Sequence, residues 1–207
     1  MEINRYIDHT TLKAMVQKDE IKKLCDEAKE YKFYSVCVNG ANVPFAYSQV
    51  KDSDVEVAAT GGFPLGAMST EDKIFEAKDA IENGASEIDM VINVGALKDK
   101  EYEYVEKEIS EIKKAIGNNV LKVIIETCYL TDEEKRKACE LSVNAKADFV
   151  KTSTGFGTGG ATLEDVKLMK EVVGDKAQIK VSGGVTDLDP ANRYIELGAK
   201  RLGTSTG

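Results

Sequence analysis

Residues 121–152 read LKVIIETCYLTDEEKRKACELSVNAKADFVKT, and this stretch shows the unit from which the chain is built. Two short apolar runs with β-branched residues, 121–126 and 148–152, flank a segment that begins with the capping-box pattern Thr131-x-x-Glu134. Such runs are typical of buried strands, and the capping box marks the start of a helix. The stretch therefore predicts a strand, a helix and a second strand parallel to the first.

The same alternation continues on both sides of this unit. Further strands are predicted at residues 6–8, 34–38, 55–59, 87–94, 178–181 and 201–204. The intervening segments carry apolar residues at helical spacing, as in the stripe formed by Val105, Ile109, Ile112 and Ile116. Glycines stand where these helices should end, namely Gly84, Gly117, Gly174 and Gly198.

Eight strand–helix units in 207 residues predict one (β/α)8 TIM barrel domain that spans residues 1–207. The chain stops directly after the last predicted strand, so the eighth outer helix of the barrel is expected to be absent or truncated. A doubly wound open sheet is the alternative arrangement of the same elements.

Composition restricts the classes of function. The net charge of -8 argues against nonspecific nucleic-acid binding, which requires a basic surface. No segment is long and apolar enough to cross a membrane, and the N-terminus lacks the apolar core of a signal peptide. The four cysteines show no CxxC spacing, so we expect reduced thiols in a cytoplasmic protein. The single histidine argues against a catalytic zinc site.

Two lysines occur inside apolar strands near the ends where barrel active sites form. Lys151 ends the run FVK, and Lys180 lies in the run IKV of the next strand. A like charge about 4 Å away contributes roughly 4 kcal/mol at an effective dielectric near 20, and burial also favours a neutral amine. One lysine can then be neutral while its neighbour stays charged, which suits imine formation with a carbonyl. The alternative is a pair of structural, ion-paired lysines.

A carboxylate also interrupts an apolar strand. Asp89 lies in the run EIDMVIN, where it is either the structural partner of a lysine or a group for proton transfer. Lys122 lies nearer the start of its strand, where a structural ion pair is the expectation.

Glycine-rich turns follow the last three strands and predict a phosphate site. Gly183 and Gly184 follow the seventh strand, Gly203 and Ser205 end the eighth, and Gly155 lies just past Lys151. Backbone N–H groups in such turns attract anions, and barrels commonly bind phosphate after strands seven and eight. Asp8 and Thr152, at the ends of the first and sixth strands, complete the predicted substrate site.

Several segments resemble the deoxyribose-phosphate aldolase family, a class I Schiff-base aldolase family, over nearly the whole chain. The matching segments are YIDHTTL at 6–12, GFPLG at 62–66, EIDMVINVGAL at 87–97, KVIIETCYL at 122–130, DFVKTSTGFGT at 148–158 and SGG at 182–184. The resemblance implies reversible cleavage of 2-deoxy-D-ribose 5-phosphate to D-glyceraldehyde 3-phosphate and acetaldehyde. It also implies that Lys151 forms the Schiff base, that Lys180 perturbs it and that Asp89 transfers protons.

The resemblance implies no metal and no organic cofactor. The expected partners are small phosphosugar and aldehyde substrates, with neither nucleic acid nor membrane, and a homodimer or higher homo-oligomer is expected. Thr186 stands where the family often has a basic residue, which predicts a weaker preference for the phosphorylated substrate. A transaldolase-like enzyme that uses a ketose donor and a catalytically silent phosphosugar-binding barrel are the alternative functions.

Overall fold

The eight strands form a closed, all-parallel barrel in which they follow one another in sequence order. The structure is a computed structural model that describes residues 3–185 and 187–206. The strands are β1 Ile7–Thr10, β2 Ser35–Val38, β3 Glu56–Gly61, β4 Glu87–Val91, β5 Val120–Ile124, β6 Phe149–Lys151, β7 Gln178–Ser182 and β8 Arg201–Thr204. Because β1 pairs with β8, the barrel is closed. The (β/α)8 prediction is confirmed, and the open-sheet alternative is wrong.

Helices connect consecutive strands around the outside. They are α1 Lys18–Glu30, α2 Val43–Val50, α3 Thr70–Glu82, α4 Val94–Lys98, α5 Tyr102–Ile116, α6 Asp132–Asn144, α7 Leu163–Val173 and α8 Leu188–Glu196. Within the described range, no helix follows β8, and both α4 and α5 lie between β4 and β5. None of the helices described is long and apolar enough to span a membrane.

The helix boundaries follow the local signals in the sequence. Thr131 and Glu134 form the complete capping box of α6, and Thr162 accepts the backbone N–H of Asp165 at the start of α7. Gly117 and Gly174 end α5 and α7 with φ of 62° and 54°. Glycine adopts this left-handed region without a steric penalty, which explains why the apolar stripes stop there.

Several strand ends differ from the sequence prediction by one to three residues, and those of β4 and β5 have a clear local cause. β4 ends at Val91 rather than at 94, because the Asn93 side chain accepts the backbone N–H of Ala96 and caps α4. β5 ends at Ile124, and Glu126 adopts a left-handed conformation with φ of 52°. Both deviations lie at the carboxyl ends of strands, where polar side chains turn the chain toward the open end of the barrel.

Candidate active site

Three lysines from neighbouring strands converge on one carboxylate inside the barrel. Nζ of Lys151 and Nζ of Lys180 each lie 2.7 Å from Oδ2 of Asp89, and Nζ of Lys122 lies 2.8 Å from Oδ1. The strand register explains the cluster, because Asp89 pairs with Lys122 across β4 and β5, and Lys151 pairs with Lys180 across β6 and β7. The sequence predicted the adjacency of the two strand lysines, and the structure shows it.

The cluster continues toward the amino ends of the strands through a chain of ion pairs. Lys180 contacts Asp8 at 2.5 Å, and Lys122 contacts Glu87 at 2.6 Å. Arg201 bridges these two carboxylates, with one nitrogen against Asp8 and Nη2 at 2.6 Å from Glu87. All of these side chains are buried. The barrel interior is therefore filled largely by charges that neutralise one another rather than by apolar side chains.

The pKa values in this cluster diverge. Burial lowers the pKa of Lys151, and the charge of Lys180 acts in the same direction against the opposing effect of Asp89. Burial also disfavours the charged form of Lys180, but Asp8 and Asp89 outweigh it and raise the pKa of that lysine. The pKa shifts agree in direction with the predicted division, in which Lys151 is the more neutral lysine and Lys180 the more cationic one. Its main cause is burial, however, whereas the sequence argument gave the like charge first place.

Asp89 stays ionised in this environment. Burial favours its protonated form, but Lys122, Lys151 and Lys180 together hold the pKa of the carboxyl well below its usual range. An ionised Asp89 accepts a hydrogen bond from the same nitrogen that would attack a carbonyl. It is therefore placed to exchange protons with Lys151.

A cavity of about 350 Å³ opens above the cluster at the carboxyl ends of the strands. Lys151 lines it, whereas Asp89, Lys122 and Lys180 have no exposed surface. Five of the predicted substrate or phosphate residues also line the cavity, namely Gly155, Gly183, Gly184, Gly203 and Ser205. The volume suits a small metabolite.

Two predicted substrate residues lie elsewhere. Asp8 is fully buried between Lys180 and Arg201, and it does not line the cavity. Thr152 is also fully buried, and its hydroxyl donates to the carbonyl of Ser182 while accepting the N–H of the same residue. Both side chains lie beneath the site and expose no surface to the cavity. The prediction that they contact the substrate directly therefore has no support from their burial.

Glycines bring two of the active-site loops into backbone contact. A Cβ on Gly160 would lie 2.2 Å from the carbonyl oxygen of Gly183, and the N–H of Ala161 donates to that same oxygen at 3.1 Å. Gly183 and Gly184 both have positive φ, 84° and 82°. The turn after β7 therefore requires glycine for its conformation and for the close approach of the loop after β6.

Sequence reasoning gave no role to several residues that line or support this cavity. Glu126 is buried and accepts the backbone N–H of Thr154 at 3.1 Å as well as its hydroxyl. Thr154 in turn accepts the N–H of Phe156, and both line the cavity with Gly155. Lys13, in the loop after β1, also lines the cavity. A left-handed non-glycine residue such as Glu126 often marks a functional site, but sequence does not reveal it.

No group of three or more His, Cys, Asp or Glu side chains is arranged to hold a metal ion within residues 3–185 and 187–206. Thr186, the position used to predict phosphate preference, lies outside the described residues.

Comparison with known families matches residues 3–206 to the DeoC family, described as DeoC/LacD family aldolase. The chain belongs to this family. A deoxyribose-phosphate aldolase of Finegoldia magna is 59% identical over 207 residues, covering all of this chain and 97% of the relative. One from Thermococcus kodakarensis is 60% identical over 210 residues, covering all of this chain and 94% of the relative.

Solved structures agree with this membership in the DeoC/LacD aldolases. The aldolase QR15 is 42% identical with a TM-score of 0.95, over 99% of this chain and 91% of that one. A deoxyribose phosphate aldolase from Aeropyrum pernix, described as having a unique tetrameric structure, is 29% identical with a TM-score of 0.92, over 99% of this chain and 87% of that one.

Proposed function

We propose that the chain is a class I aldolase that reversibly cleaves 2-deoxy-D-ribose 5-phosphate to D-glyceraldehyde 3-phosphate and acetaldehyde through a Schiff base on Lys151. One observation carries the proposal. Of the three lysines around Asp89, Lys151 alone lines the cavity, while Lys122 and Lys180 are fully buried. A buried amine of lowered pKa that opens onto a substrate-sized cavity is suited to imine formation.

The substrate would stay covalently attached to Nζ of Lys151 while its carbon–carbon bond breaks. The neutral amine of Lys151 adds to C1 of the open-chain sugar, and loss of water leaves an iminium. The bond between C2 and C3 then breaks, because the iminium accepts its electron pair, and the C3 hydroxyl loses its proton as C3 becomes an aldehyde. The two-carbon enamine that remains on Lys151 is protonated at C2 and hydrolysed to acetaldehyde, which frees the amine.

The buried neighbours of Lys151 have separable roles in this scheme. Asp89 contacts the reacting nitrogen, so it can take protons from it and return them during addition and hydrolysis. Lys180 contacts Asp89 rather than the cavity, so it acts as a positioning residue that keeps Asp89 ionised and disfavours a charged Lys151. Gly183 and Gly184 in the turn after β7, together with Gly203 and Ser205 at the end of β8, line the cavity, where their backbone N–H groups would bind the phosphate.

The proposal is tested by acetaldehyde release and by trapping. The protein should release acetaldehyde from 2-deoxy-D-ribose 5-phosphate, and borohydride with acetaldehyde should attach a reduced two-carbon group to Lys151. Lys151→Met should abolish both signals. Labelling mainly at Lys180, with Lys151 unmodified, would overturn the assignment of the nucleophile.

The same trapping experiment separates the alternative functions. A transaldolase-like enzyme would form a stable adduct with a ketose donor in preference to acetaldehyde, and a silent phosphosugar-binding barrel would form none. We further propose that the enzyme is cytoplasmic, needs no metal or organic cofactor and assembles as a homodimer or larger homo-oligomer. Light scattering of the purified protein measures the last point.

A further inference from the structure

We propose that Lys13 supplies the positive charge that binds the phosphate group of the substrate and thereby sets the preference for phosphorylated sugars. The inference rests on the proposed function and concerns the same site. Lys13 lies in the loop between β1 and α1, and it lines the same cavity as Lys151, Gly183 and Gly184.

The charges that line the cavity single out this residue. Within the described part of the chain, the cations on the cavity wall are Lys13 and Lys151, and no carboxylate is on that wall. Lys151 is held by Asp89 and must be neutral to attack a carbonyl. Lys13 is therefore the cation that remains available for an anionic group of the substrate.

The side chain of Lys13 is free to meet such a group. It is exposed, and no hydrogen bond or ion pair holds its ammonium among residues 3–185 and 187–206. Its backbone, in contrast, is anchored, because the Asn39 side chain donates to the carbonyl of Leu12 at 3.1 Å. The N–H of Val16 also donates to the carbonyl of Lys13 at 3.2 Å. An ammonium group without a partner, on a side chain whose backbone is held in place, is suited to bind an incoming anion.

Charge and backbone donors complement each other in this cavity. A phosphate ester carries a charge of about -1.5 to -2 near neutral pH, and the N–H groups of a glycine turn are uncharged donors. A hydrogen bond to a charged partner can change affinity by roughly ten-fold or more. Lys13 therefore predicts a strong preference for the phosphorylated substrate, in contrast to the weak preference expected from Thr186 alone.

Lys13→Met tests this role, with Lys13→Arg as the charge-conserving variant and Lys78→Met as the matched control. Lys78 is an exposed lysine on α3 that does not line the cavity, so its replacement removes the same charge elsewhere. The KM for 2-deoxy-D-ribose 5-phosphate should rise by about ten-fold or more in Lys13→Met. The KM for unphosphorylated 2-deoxyribose should not change. Lys13→Arg keeps the positive charge and should retain most of the preference for the phosphorylated sugar, whereas Lys78→Met should behave like the parent.

Calorimetric titration with inorganic phosphate separates this inference from the proposed reaction. Lys13→Met should weaken phosphate binding by about ten-fold or more whether or not the protein cleaves the sugar. Unchanged phosphate affinity, or equal effects on both sugars, would overturn the role of Lys13. An inactive parent protein whose phosphate binding still depends on Lys13 would overturn the proposed reaction and support the phosphate contact.

Discussion

Lys122→Met removes the cation that the structure places deepest among the buried carboxylates. Nζ of Lys122 lies 2.6 Å from Glu87, 2.8 Å from Asp89 and 3.7 Å from Asp8, and the side chain has no exposed surface. Methionine has a similar length and keeps the apolar stem packed. The variant therefore isolates the loss of the charge from a loss of volume.

The expected cost follows from the burial of the partners. Removing one member of a buried ion pair destabilises a protein by about 3–5 kcal/mol, because the remaining charge cannot regain water. At a urea dependence of about 1–3 kcal/mol per molar, the unfolding midpoint should fall by roughly 1–5 M. Total stabilities are about 5–15 kcal/mol, so the variant should still fold but with a narrow margin.

Acidification should reduce this deficit. In the parent protein the pKa of Asp89 is lowered, so its contribution to stability is present above the unfolded pKa and is lost as pH falls through the folded one. Without Lys122, Asp89 loses one of the three cations that hold its pKa down, so that pKa should rise and the buried acid should be protonated at a higher pH than in the parent. The difference in unfolding free energy between the parent and Lys122→Met should therefore shrink as the pH falls through the pKa of Asp89 in the variant.

Lys73→Met is the matched control. Lys73 is equally buried and contacts Glu108 at 2.8 Å and the carbonyl of Val91 at 2.9 Å, but it lies on α3 outside the barrel interior. Lys73→Met should lower the free energy of unfolding by a similar amount while leaving the pH profile of imine trapping at Lys151 unchanged. Lys122→Met should shift that profile upward, because Asp89 then interacts more strongly with Lys151. A deficit below about 1 kcal/mol for Lys122→Met, or equal profile shifts in both variants, would refute the reasoning.

Three further substitutions test residues in the ion-pair cluster and beside the cavity. Lys180→Leu should raise the pKa of Lys151 and move the pH profile of borohydride trapping upward; an unchanged or lowered profile would reject the electrostatic role. Asp89→Asn should reduce turnover by about 100-fold or more and also lower the urea midpoint, because three lysines lose their shared partner; near-normal turnover would show a purely structural role. Glu126→Gln should raise KM through a looser loop at Thr154 while the trapping profile stays in place; a shifted profile would place Glu126 in the proton chemistry instead.

The positions of Lys151 and Lys180 in the barrel could be predicted because they depend on local signals. Each lysine interrupts an apolar strand, and consecutive strands of a barrel lie side by side, so the two residues had to be neighbours. The glycines after β7 and at the end of β8 were predictable for the same reason, since the end of a strand fixes which edge of the barrel its loop occupies.

The remainder of the site depends on distances across the barrel, which strand patterns do not specify. Asp8 was expected in the substrate site, yet its pairing with Lys180 and Arg201 holds it below the cavity. Arg201 carried the same signal as the lysines, a charge at an apolar strand, but only the closed barrel shows that it meets Glu87. Lys13 is a loop residue, and its approach to the cavity follows from the path of the loop after β1.

The ion pairs in the barrel interior also restrict how this aldolase can be altered. Their members are the carboxylates Asp8, Glu87 and Asp89 and the cations Lys122, Lys151, Lys180 and Arg201. With Lys151 neutral the charges cancel, so removal of any one of the other six charges leaves a surplus that only a second, compensating replacement can remove. Such positions should change together during evolution or not at all. Directed evolution of the enzyme toward new aldehyde acceptors should therefore vary the loops after β1, β6 and β7 and leave these seven interior residues unchanged.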